Sequence, residues 1–544
     1  MSQTDAVSTR ALPPDVSEAD FARAIDDFTA ALGSARVLTS DEDLSEFRDP
    51  FQYATWDDYA ASAVVMPTTV EEIQAIVRIA NERRVPLWTH GTGRNNGYGG
   101  PAPRVRGSVI VSLRNMNRVL EINEELGYAV VEPGVRWFDL YEAIKAGGHE
   151  LMLSIADLGW GGVVGNTLDH GATYMPYGVD MGMQCGMEVV LADGDVMRTG
   201  MGAMPGNRSW HVYKRGLGPT PDQLFMQSNY GIVTKMGVWL MPYPEVYMPL
   251  WLRVWKDDDI APVMDTLRVL MLDGTIRMVP QILNTVLLGS VFSKREQWWQ
   301  EPGPIPDDVI DKIARELDIG RWTMRFALYG DEAVVDHRFA KIKAAFERIE
   351  GAEVWGAKCA PKDIPNLEHP AERIQGGVPN LEWNNMTGWY GGEEGGHIGF
   401  SPVAPLTGHD ALAVRDLLRG MIEEAGLDYM AGLIPINARS FIHVAMVIFD
   451  TKQEAQVRAA YDVARRLVRD AAKLGYGEYR AHLDFMDLAA DQYSFNDHAY
   501  RRFTETIKDA LDPNGILSPG KQGIWPRAMR DGARSAQQPR TSVT

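Results

Sequence analysis

Cysteine is scarce in this chain, whose 544 residues include only Cys185 and Cys359. Two cysteines cannot build a disulfide framework, so we expect two buried thiols in a reducing cytoplasm. Motifs that hold catalytic metals are missing as well. The sequence contains neither HExxH nor CxxC, and none of its 11 histidines stands at metal-ligand spacing from another. A zinc or iron site is therefore not expected.

Positive charge is also in short supply. Lys and Arg number 54 against 73 for Asp and Glu, which leaves a net charge of −19. Nucleic-acid binding proteins carry a basic surface, so that class is disfavoured, as is binding to an anionic membrane. No apolar run reaches the roughly 18–20 residues of a membrane span, and no basic segment followed by an apolar run marks a secretory signal. The composition favours a cytoplasmic enzyme with a small-molecule partner.

Glycine, in contrast, is abundant, with 52 residues, and it is clustered. The first cluster, residues 91–100, directly follows a predicted strand that ends at Trp88. Its GxGxxxG spacing differs from the GxGxxG of dinucleotide sites, and no acidic residue stands about 20 positions on, so a Rossmann NAD site is disfavoured. Loop amides without side chains can cradle phosphate oxygens. A purely structural glycine turn is the alternative interpretation.

Two further glycine-rich stretches follow. Residues 157–171 form the second, and two such loops can enclose a pyrophosphate from both sides. The third, residues 515–522, nearly matches the phosphate-binding loop of ATPases. However, Gln522 stands where Ser or Thr must hold Mg²⁺, and a turn precedes the motif instead of a strand. An ATP site is therefore not expected.

Three polar residues outside the glycine loops are also candidates. His397 follows a run of glycines and precedes a predicted strand, from which it can reach a cofactor; an ordinary loop or core histidine is the alternative. Tyr479 and Arg480 are neighbours, and on an extended segment they point to opposite faces. In a bend they can bind one oxyanion together, through a hydroxyl and a permanent charge. A pair of surface side chains is the alternative.

The order of the predicted elements indicates more than one domain. Between residues 60 and 245 short apolar strands alternate with amphipathic segments, beginning with a helix for which Thr68 and Glu71 can form a capping box. Residues 246–476 change to strand-like runs and long amphipathic helices, as expected for a second α+β domain. The turn-rich character of the first part then returns, with Asp-Pro-Asn-Gly at 512–515.

Five separated motifs occur in one order along the chain. They are GRNNGYGG (93–100), ADLG…GN (156–166), SNYGIVTK (228–235), GEYRAHL (477–483) and DPNGILSPGK (512–521). Together they resemble the vanillyl-alcohol oxidase and para-cresol methylhydroxylase flavoproteins, with bacterial eugenol oxidase-type 4-alkylphenol oxidases as the nearest group. The resemblance implies an α+β, two-domain FAD-binding fold of the para-cresol methylhydroxylase type. The FAD-binding domain is then 1–245 with 477–544, and 246–476 is an antiparallel-sheet cap domain.

The resemblance also implies a catalytic site. The family binds its substrate as a phenolate, and the matching residues are Tyr98, Tyr479 and Arg480. Hydride loss from a benzylic carbon leaves a cation, which a para phenolate neutralises as a quinone methide, so groups that favour the phenolate speed the reaction. Asp157 matches an acid beside the flavin that assists hydride acceptance and deprotonates the attacking water. Tyr174 matches a further cavity residue.

His397 matches the position that is covalently linked to FAD, where cytochrome-linked members carry a tyrosine. The other expected FAD-binding residues are Gly91, Thr92, Gly93, Arg94, Asn95, Asn96, Gly97, Leu158, Gly161, Gly162, Gly165, Asn166, Asp169, Gly171, Gly231, Ile232, Val233 and Lys521. The expected substrate pocket adds Gly399, Ser401, Tyr429 and Gly432. No metal is expected.

The chain departs from the family pattern near the attachment site. The loop before His397 is longer and carries Glu393 and Glu394. Where a family oxidase has a histidine that assists attachment, this chain has Phe51 and Gln52.

Two further departures bear on the pocket and the assembly. Gly399 and Gly432 replace larger residues, which predicts a roomier cavity that suits ring-methoxylated phenols. The interval 200–224 is short and lacks the long loop of octameric members, so a homodimer is expected.

These features predict a cytoplasmic FAD-dependent oxidase. It takes a para-substituted phenol with a benzylic hydrogen and returns the electrons to molecular oxygen as hydrogen peroxide. One alternative is a dehydrogenase of the same family that delivers electrons to a cytochrome. Others are an FAD oxidase of a hydroxy acid or sugar acid, whose carboxylate Arg480 can bind, and a non-enzymatic binding protein.

Overall fold

The fold is described for residues 11–51 and 56–532 of a computed structural model, so Gln52 and residues 1–10 lie outside the described ranges. Within them the strands are β1 (Val37–Leu38), β2 (Ala63–Val65), β3 (Leu87–His90), β4 (Val109–Ser112), β5 (Val119–Asn123), β6 (Tyr128–Val131), β7 (Leu151–Met152), β8 (Gln184–Leu191), β9 (Val196–Arg198), β10 (Gly231–Trp239), β11 (Met241–Pro242), β12 (Val246–Val254), β13 (Gln281–Asn284), β14 (Trp322–Gly330), β15 (Glu353–Gly356), β16 (Gly395–Phe400), β17 (Val403–Pro405), β18 (Ala431–Asn437) and β19 (Ser440–Asp450).

The α-helices of the same ranges are α1 (Glu18–Leu32), α2 (Asp41–Ser45), α3 (Val70–Arg83), α4 (Trp137–Ala146), α5 (Val163–Leu168), α6 (Ile260–Leu272), α7 (Thr285–Phe292), α8 (Asp307–Glu316), α9 (Glu332–Phe346), α10 (Pro370–Gln375), α11 (Gly408–Glu424), α12 (Glu454–Lys473), α13 (Met486–Gln492) and α14 (Phe495–Leu511).

Helix α3 packs on a four-stranded sheet of order β1-β2-β4-β3, in which β2, β4 and β3 run parallel. Thr69 caps the helix: its hydroxyl accepts from the Glu72 amide at 3.2 Å, and the Glu72 carboxylate accepts from the Thr68 amide at 2.7 Å. The capping pair therefore lies one residue later than the predicted Thr68 and Glu71. The apolar face of α3 consists of Ile73, Ile76, Val77 and Ala80.

Two larger sheets follow, and both are antiparallel. The first has the order β5-β6-β10-β8-β9. The second has eight strands in the order β15-β12-β14-β13-β18-β19-β16, with β17 also paired to β19. Every strand of the eight-stranded sheet lies between Val246 and Asp450. This architecture confirms the α+β class, while the division into domains at residues 245 and 476 stays a prediction.

The segment after α14 returns to the first sheet. The Leu87 amide donates to the Ile516 carbonyl at 2.7 Å, and the Ser518 amide donates to the Leu87 carbonyl at 2.8 Å. The Asp-Pro-Asn-Gly turn sets this return, because the Asp512 carboxylate accepts from the amides of Ile516 and Leu517 at 3.0 and 2.9 Å. The residues from 515 onward therefore lie beside the end of β3.

A buried lysine fixes the same turn. Lys508 Nζ lies 2.7 Å from the Asp512 carboxylate, and it donates to the carbonyls of Asn229 and Leu517 at 2.8 and 2.7 Å. The side chains of Lys508 and Asp512 are 0% and 1% exposed. A charge pair without water needs all of these partners, so its geometry ties α14 to the first part of the chain.

The sequence disfavours a membrane span, a metal site and a disulfide framework, and each can be compared with the described residues. No helix within 11–51 and 56–532 combines the length and apolar character needed to cross a bilayer. In the same ranges no group of three or more His, Cys, Asp or Glu side chains is arranged to hold a metal ion. Cys185 is buried, Cys359 is half-buried, and both are free thiols. The cytoplasmic location stays a prediction.

We expect Lys508→Met to lower the free energy of unfolding by about 3–5 kcal/mol, because it leaves a buried carboxylate unpaired. Lys312→Met is the matched control. Lys312 pairs with Glu316 at the same helical spacing, but its side chain is 54% exposed, so we expect a loss of only about 0.3–0.5 kcal/mol. Urea unfolding curves measure both. Equal losses would contradict the role given to Lys508.

Candidate active site

The loop after β3 forms one wall of a deep cleft. The amides of Tyr98 and Gly100 close turns on the Asn95 carbonyl at 3.2 and 3.0 Å. In contrast, none of the described residues accepts a hydrogen bond from the backbone amides of residues 92–97. Backbone donors normally find a partner when they are shielded from water, so this row of amides fits an anionic ligand.

The second glycine loop meets the first at Thr92. A Cβ added to Gly162 would lie only 3.1 Å from the Thr92 methyl carbon, so glycine there favours the close approach of the two loops. Helix α5 begins directly after Gly162. At Gly165, within α5, an added Cβ would meet no atom within 4 Å. The absence of a side chain at Gly165 therefore leaves open space on the cleft wall.

The cleft has an empty volume of about 1370 Å³, including its mouth. Most of the predicted cofactor residues line it together with Tyr98 and Arg480. They are Gly91, Thr92, Gly93, Arg94, Asn95, Gly161, Gly162, Gly165, Asn166, Asp169, Gly231, Ile232, Val233 and Lys521.

Four predicted cofactor residues lie beside the cleft: Asn96, Gly97, Leu158 and Gly171. Asn96 lines a separate cavity that Asp49 also lines. The Leu158 carbonyl closes a turn by accepting from the Gly161 amide at 3.1 Å. Gly171 packs against Asn166, whose side-chain amide donates to the Gly171 carbonyl at 3.1 Å. These four residues are not among those that line the cleft.

Arg480 is half-buried, with its Nε shielded from solvent, where the two glycine loops meet the C-terminal part of the chain. Its guanidinium lies 4.2 Å from the centre of the Tyr98 ring, donates to the Asn95 side chain, and interacts electrostatically with the Tyr479 hydroxyl. Burial opposes the charge, but Asp169 and the two tyrosines raise the pKa of the guanidinium above its ordinary value. The structure therefore brings the three expected phenolate-binding residues together.

A lysine adds to the positive charge of this cluster. Lys521 Nζ lies 3.1 Å from the Asp169 carboxylate. Burial alone would raise the pKa of Asp169, but the attraction of Lys521 and Arg480 lowers it below its ordinary value. Two cations and one anion leave one positive charge in excess. The arrangement can therefore bind an anion.

Asp157 belongs to a second buried cluster. Arg325 donates to one carboxylate oxygen of Asp157, and the Tyr174 hydroxyl donates to the other. Gln281 Nε2 lies 3.3 Å from both Asp157 and the Tyr174 hydroxyl, and its Oε1 accepts from Arg325 Nε at 2.5 Å. Burial opposes the charge of Arg325, but Asp157 and Tyr174 raise its pKa. The carboxylate of Asp157 is thus held in one orientation.

Sequence reasoning missed Arg325 and Gln281. They stand directly opposite each other on the antiparallel strands β14 and β13. Arg325 interrupts an apolar strand, and its side chain is only 1% exposed. A charged residue in a buried strand is rare unless it is paired. The position of Arg325 in an apolar run is therefore the sequence feature that could have revealed this cluster. Trp383 covers the guanidinium at 5.5 Å.

His397 lies inside β16, not before a strand as the sequence suggested. A Cβ at Gly97 would be 2.3 Å from His397 Nε2, and Gly97 has a φ of +79°, so only glycine fits against this imidazole. The Phe51 ring packs on the imidazole with 5.2 Å between centroids. Burial lowers the pKa of His397 to about 4, so the ring is neutral at neutral pH.

Two of the predicted pocket residues lie against the phenolate-binding residues. A Cβ at Gly399 would be 3.0 Å from the Tyr98 hydroxyl, and the Ser401 carbonyl accepts from the Tyr479 amide at 3.2 Å. Because the Tyr98 hydroxyl already fills the space at Gly399, the structure does not support the roomier cavity predicted there.

The other two pocket residues have different neighbours. The Tyr429 hydroxyl lies 2.8 Å from His443 Nε2. At Gly432 an added Cβ would make ordinary contacts with Leu283 and Leu287, at 3.4 and 3.7 Å. A Cβ at Gly432 would therefore fit beside these leucines, and the assignment of Gly432 to the substrate pocket stays a prediction.

Known proteins share this architecture over most of the chain. A family model of the FAD-binding domain matches residues 61–200, and a model of the C-terminal domain of FAD-linked oxidases matches residues 441–522. The flavoprotein subunit of 4-cresol dehydrogenase (hydroxylating) from Pseudomonas putida is 38% identical, over 94% of this chain and 97% of its own.

Two solved structures are also similar. The 4-ethylphenol oxidase from Gulosibacter chungangensis, in complex with isoeugenol, is 41% identical with a TM-score of 0.91, over 95% of this chain and all of its own. A p-cresol methylhydroxylase with bound substrate is 38% identical with a TM-score of 0.88, over 95% of this chain and 99% of its own. Fold and cleft thus define an FAD-linked oxidoreductase. The chain belongs to the vanillyl-alcohol oxidase and para-cresol methylhydroxylase family of flavoproteins.

We expect Gly165→Leu to reduce the FAD content of the purified protein at least tenfold, because the new side chain enters the open space of the cleft. Gly420→Leu is the matched control, since Gly420 is also a helical glycine with no atom within 4 Å of an added Cβ, but it is exposed on α11. FAD released by proteolysis measures the content. Full FAD content in Gly165→Leu would contradict the position of the cleft.

Proposed function

We propose that the protein is an FAD-dependent oxidase of para-substituted phenols. Its substrates are 4-alkylphenols, 4-hydroxybenzyl alcohols and eugenol-like compounds that carry a benzylic hydrogen. The observation that supports this most is the Arg480 cluster, with an excess positive charge and two half-buried tyrosines. The products are hydroxylated or desaturated phenols, or aldehydes, together with hydrogen peroxide.

FAD fits the cleft. The unpartnered amides of residues 92–97 and the open space at Gly165 suit its pyrophosphate, and residues 231–233 are proposed to contact the adenosine part. His397 is the proposed point of covalent attachment. When bound, FAD supplies the acceptor for the hydride.

Arg480, Tyr98 and Tyr479 are proposed to bind the phenol oxygen. Among the described residues, Arg480 Nε has no hydrogen-bond acceptor, so this buried donor is left for a ligand. A nearby fixed cation and hydrogen-bond donors favour the ionised form of a phenol. The resulting phenolate neutralises the cation that develops at the benzylic carbon as a quinone methide, which lowers the barrier to hydride loss.

Asp157 is proposed to assist hydride transfer and then to take the proton of the water that attacks the quinone methide. Arg325, Tyr174 and Gln281 act through Asp157 by fixing its orientation. Gly399 and Ser401 remain proposed pocket residues, because they lie against Tyr98 and Tyr479. Tyr429 and Gly432 are left out, since their neighbours are His443 and the leucines of the sheet.

The electron acceptor separates the proposed oxidase from a dehydrogenase, because one similar protein is a 4-ethylphenol oxidase and another is a 4-cresol dehydrogenase subunit. We expect 4-ethylphenol to bleach the flavin without oxygen and air to restore its colour within seconds, with stoichiometric hydrogen peroxide. A flavin that stays bleached in air for minutes but recovers with ferricytochrome c would overturn the oxidase proposal. A flavin that 4-ethylphenol does not bleach would overturn phenol oxidation.

We expect Arg480→Ala to raise the apparent pKa of a bound, non-reactive phenol by roughly one to three pH units, because a neighbouring cation no longer favours the phenolate. Spectroscopic titration of the ligand in the holoprotein measures this. Arg480→Lys, which keeps a charge but loses the planar fork, should give an intermediate value. Identical titrations of wild type and Arg480→Ala would argue against a phenolate site.

We also propose that the protein is a homodimer. The interval 200–224 forms short 3₁₀ turns at Gly200–Ala203 and Pro221–Phe225, joined by irregular backbone. Sedimentation velocity should give twice the chain mass of 60.5 kDa. A monomer or an octamer at micromolar concentration would contradict the proposal.

A further inference from the structure

Tyr479 and Arg480 lie in a bend, and the peptide group between them determines how their side chains point. On an extended segment neighbouring side chains leave opposite faces, so a bend is needed for both to reach one ligand. The Tyr479 amide donates to the Ser401 carbonyl at 3.2 Å, which holds one side of the bend. The Tyr479 carbonyl belongs to the planar peptide that enters Arg480, so a group that holds this oxygen also orients Arg480.

The side chain of Gln227 holds that carbonyl. Its Nε2 donates to the Tyr479 carbonyl at 2.8 Å and to the Asp169 carbonyl at 3.3 Å. A primary amide has two N–H donors, so each of these two oxygens can take one hydrogen of Gln227. Gln227 therefore joins the bend to the end of the second glycine loop, where the Asp169 carboxylate attracts the Arg480 guanidinium.

The backbone of Gln227 adopts a conformation that most side chains avoid. Its φ of +45° lies in the left-handed region, which is costly for a residue other than glycine. The Gln227 amide donates to the Leu168 carbonyl at 2.8 Å, and the side-chain amide of Asn229 donates to the carbonyls of Ser518 and Ile524, both at 3.0 Å. Such a conformation persists where surrounding contacts over-determine it, and here they join the second glycine loop to the C-terminal return.

Gln227 is not among the residues that line the cleft, although its neighbours Phe225 and Ser228 are. It can therefore act on a ligand in the cleft only through the groups that it holds, which are the carbonyls of Tyr479 and Asp169. Without these two hydrogen bonds the peptide group between Tyr479 and Arg480 is free to rotate. Such a rotation moves the Tyr479 hydroxyl and Arg480 Nε away from a common acceptor.

We propose that Gln227 is a positioning residue for phenolate binding, because it fixes the Tyr479 carbonyl and so keeps Tyr479 and Arg480 aimed at one phenol oxygen. This rests on the proposed function, in which these two residues and Tyr98 bind that oxygen. The second N–H of Gln227 fixes the backbone of Asp169, whose carboxylate faces the same guanidinium. Loss of the amide therefore weakens stabilisation of the phenolate without removing any group that touches it.

Two substitutions separate the hydrogen bonds of Gln227 from its backbone conformation. Gln227→Leu keeps a side chain of similar bulk but loses both donors, whereas Gln227→Gly loses both donors and accepts the positive φ without strain. In the FAD-loaded protein we expect either variant to raise the apparent pKa of a bound, non-reactive phenol by about half to one pH unit. Stopped-flow reduction of the flavin at saturating 4-ethylphenol should slow roughly tenfold or more, because small misplacements of binding groups are costly.

Arg480→Ala tests whether Gln227 acts through Arg480. We expect Gln227→Leu to raise the ligand pKa by less in the Arg480→Ala background than in the wild type, because residues that act as a unit are not additive. A full additional shift in that background would contradict action through Arg480. Gln74→Leu is the matched control, since Gln74 is also half-buried and its Nε2 donates to the carbonyl of a distant residue, Gly194, at 2.6 Å. It should leave both measurements at their wild-type values.

A wild-type ligand pKa in both Gln227 variants would overturn the proposal while leaving phenol oxidation untouched. So would a shift in only one of them, since it would come from the size or backbone of the new residue and not from the lost donors. Loss of folding or of FAD in both variants would also overturn it, because the amide would then be structural. A wild type that does not lower the pKa of the bound phenol would overturn the phenolate site itself, and this proposal with it.

Discussion

Partial burial of the Arg480 side chain, whose Nε is shielded from solvent, is the constraint on which this site depends. A charge taken out of water needs fixed partners, and here they come from distant segments. Asn95 belongs to the first glycine loop, Asp169 closes the second, and Lys521 reaches Asp169 from the C-terminal return. Lys508 holds that return in place. The contacts that satisfy the charge of Arg480 are therefore also the contacts that hold the walls of the cofactor cleft together.

The second buried guanidinium, Arg325, serves a different purpose. Its charge is matched by Asp157, so that cluster is close to neutral, whereas the Arg480 cluster carries an excess positive charge. In the proposed reaction this difference directs the phenol oxygen toward Arg480. Asp157 is then available to transfer protons in the hydride-transfer and hydration steps. The two clusters thus give one site two separate electrostatic tasks.

Local features were predictable from the sequence, and partnerships between distant segments were not. Apolar runs predicted strands such as β6 and β19. The predicted capping box of α3 lies one residue too early. Adjacent threonines and adjacent glutamates both allow a capping box, and only packing selects between them. The glycine loops stood out because clustering is local. Arg325 was missed, since its partners Asp157 and Gln281 lie far away in the chain. Gly399 was misinterpreted because the sequence cannot show that the Tyr98 hydroxyl fills its space.

We propose that the Arg480 cluster draws the substrate into its phenolate form before hydride leaves. Anaerobic stopped-flow reduction of the flavin by 4-ethylphenol and by its O-methyl ether tests this most directly, since the ether keeps the benzylic hydrogens but cannot ionise. We expect rapid bleaching by the phenol and none by the ether, although the ether still binds. Bleaching by the ether at a comparable rate would contradict it.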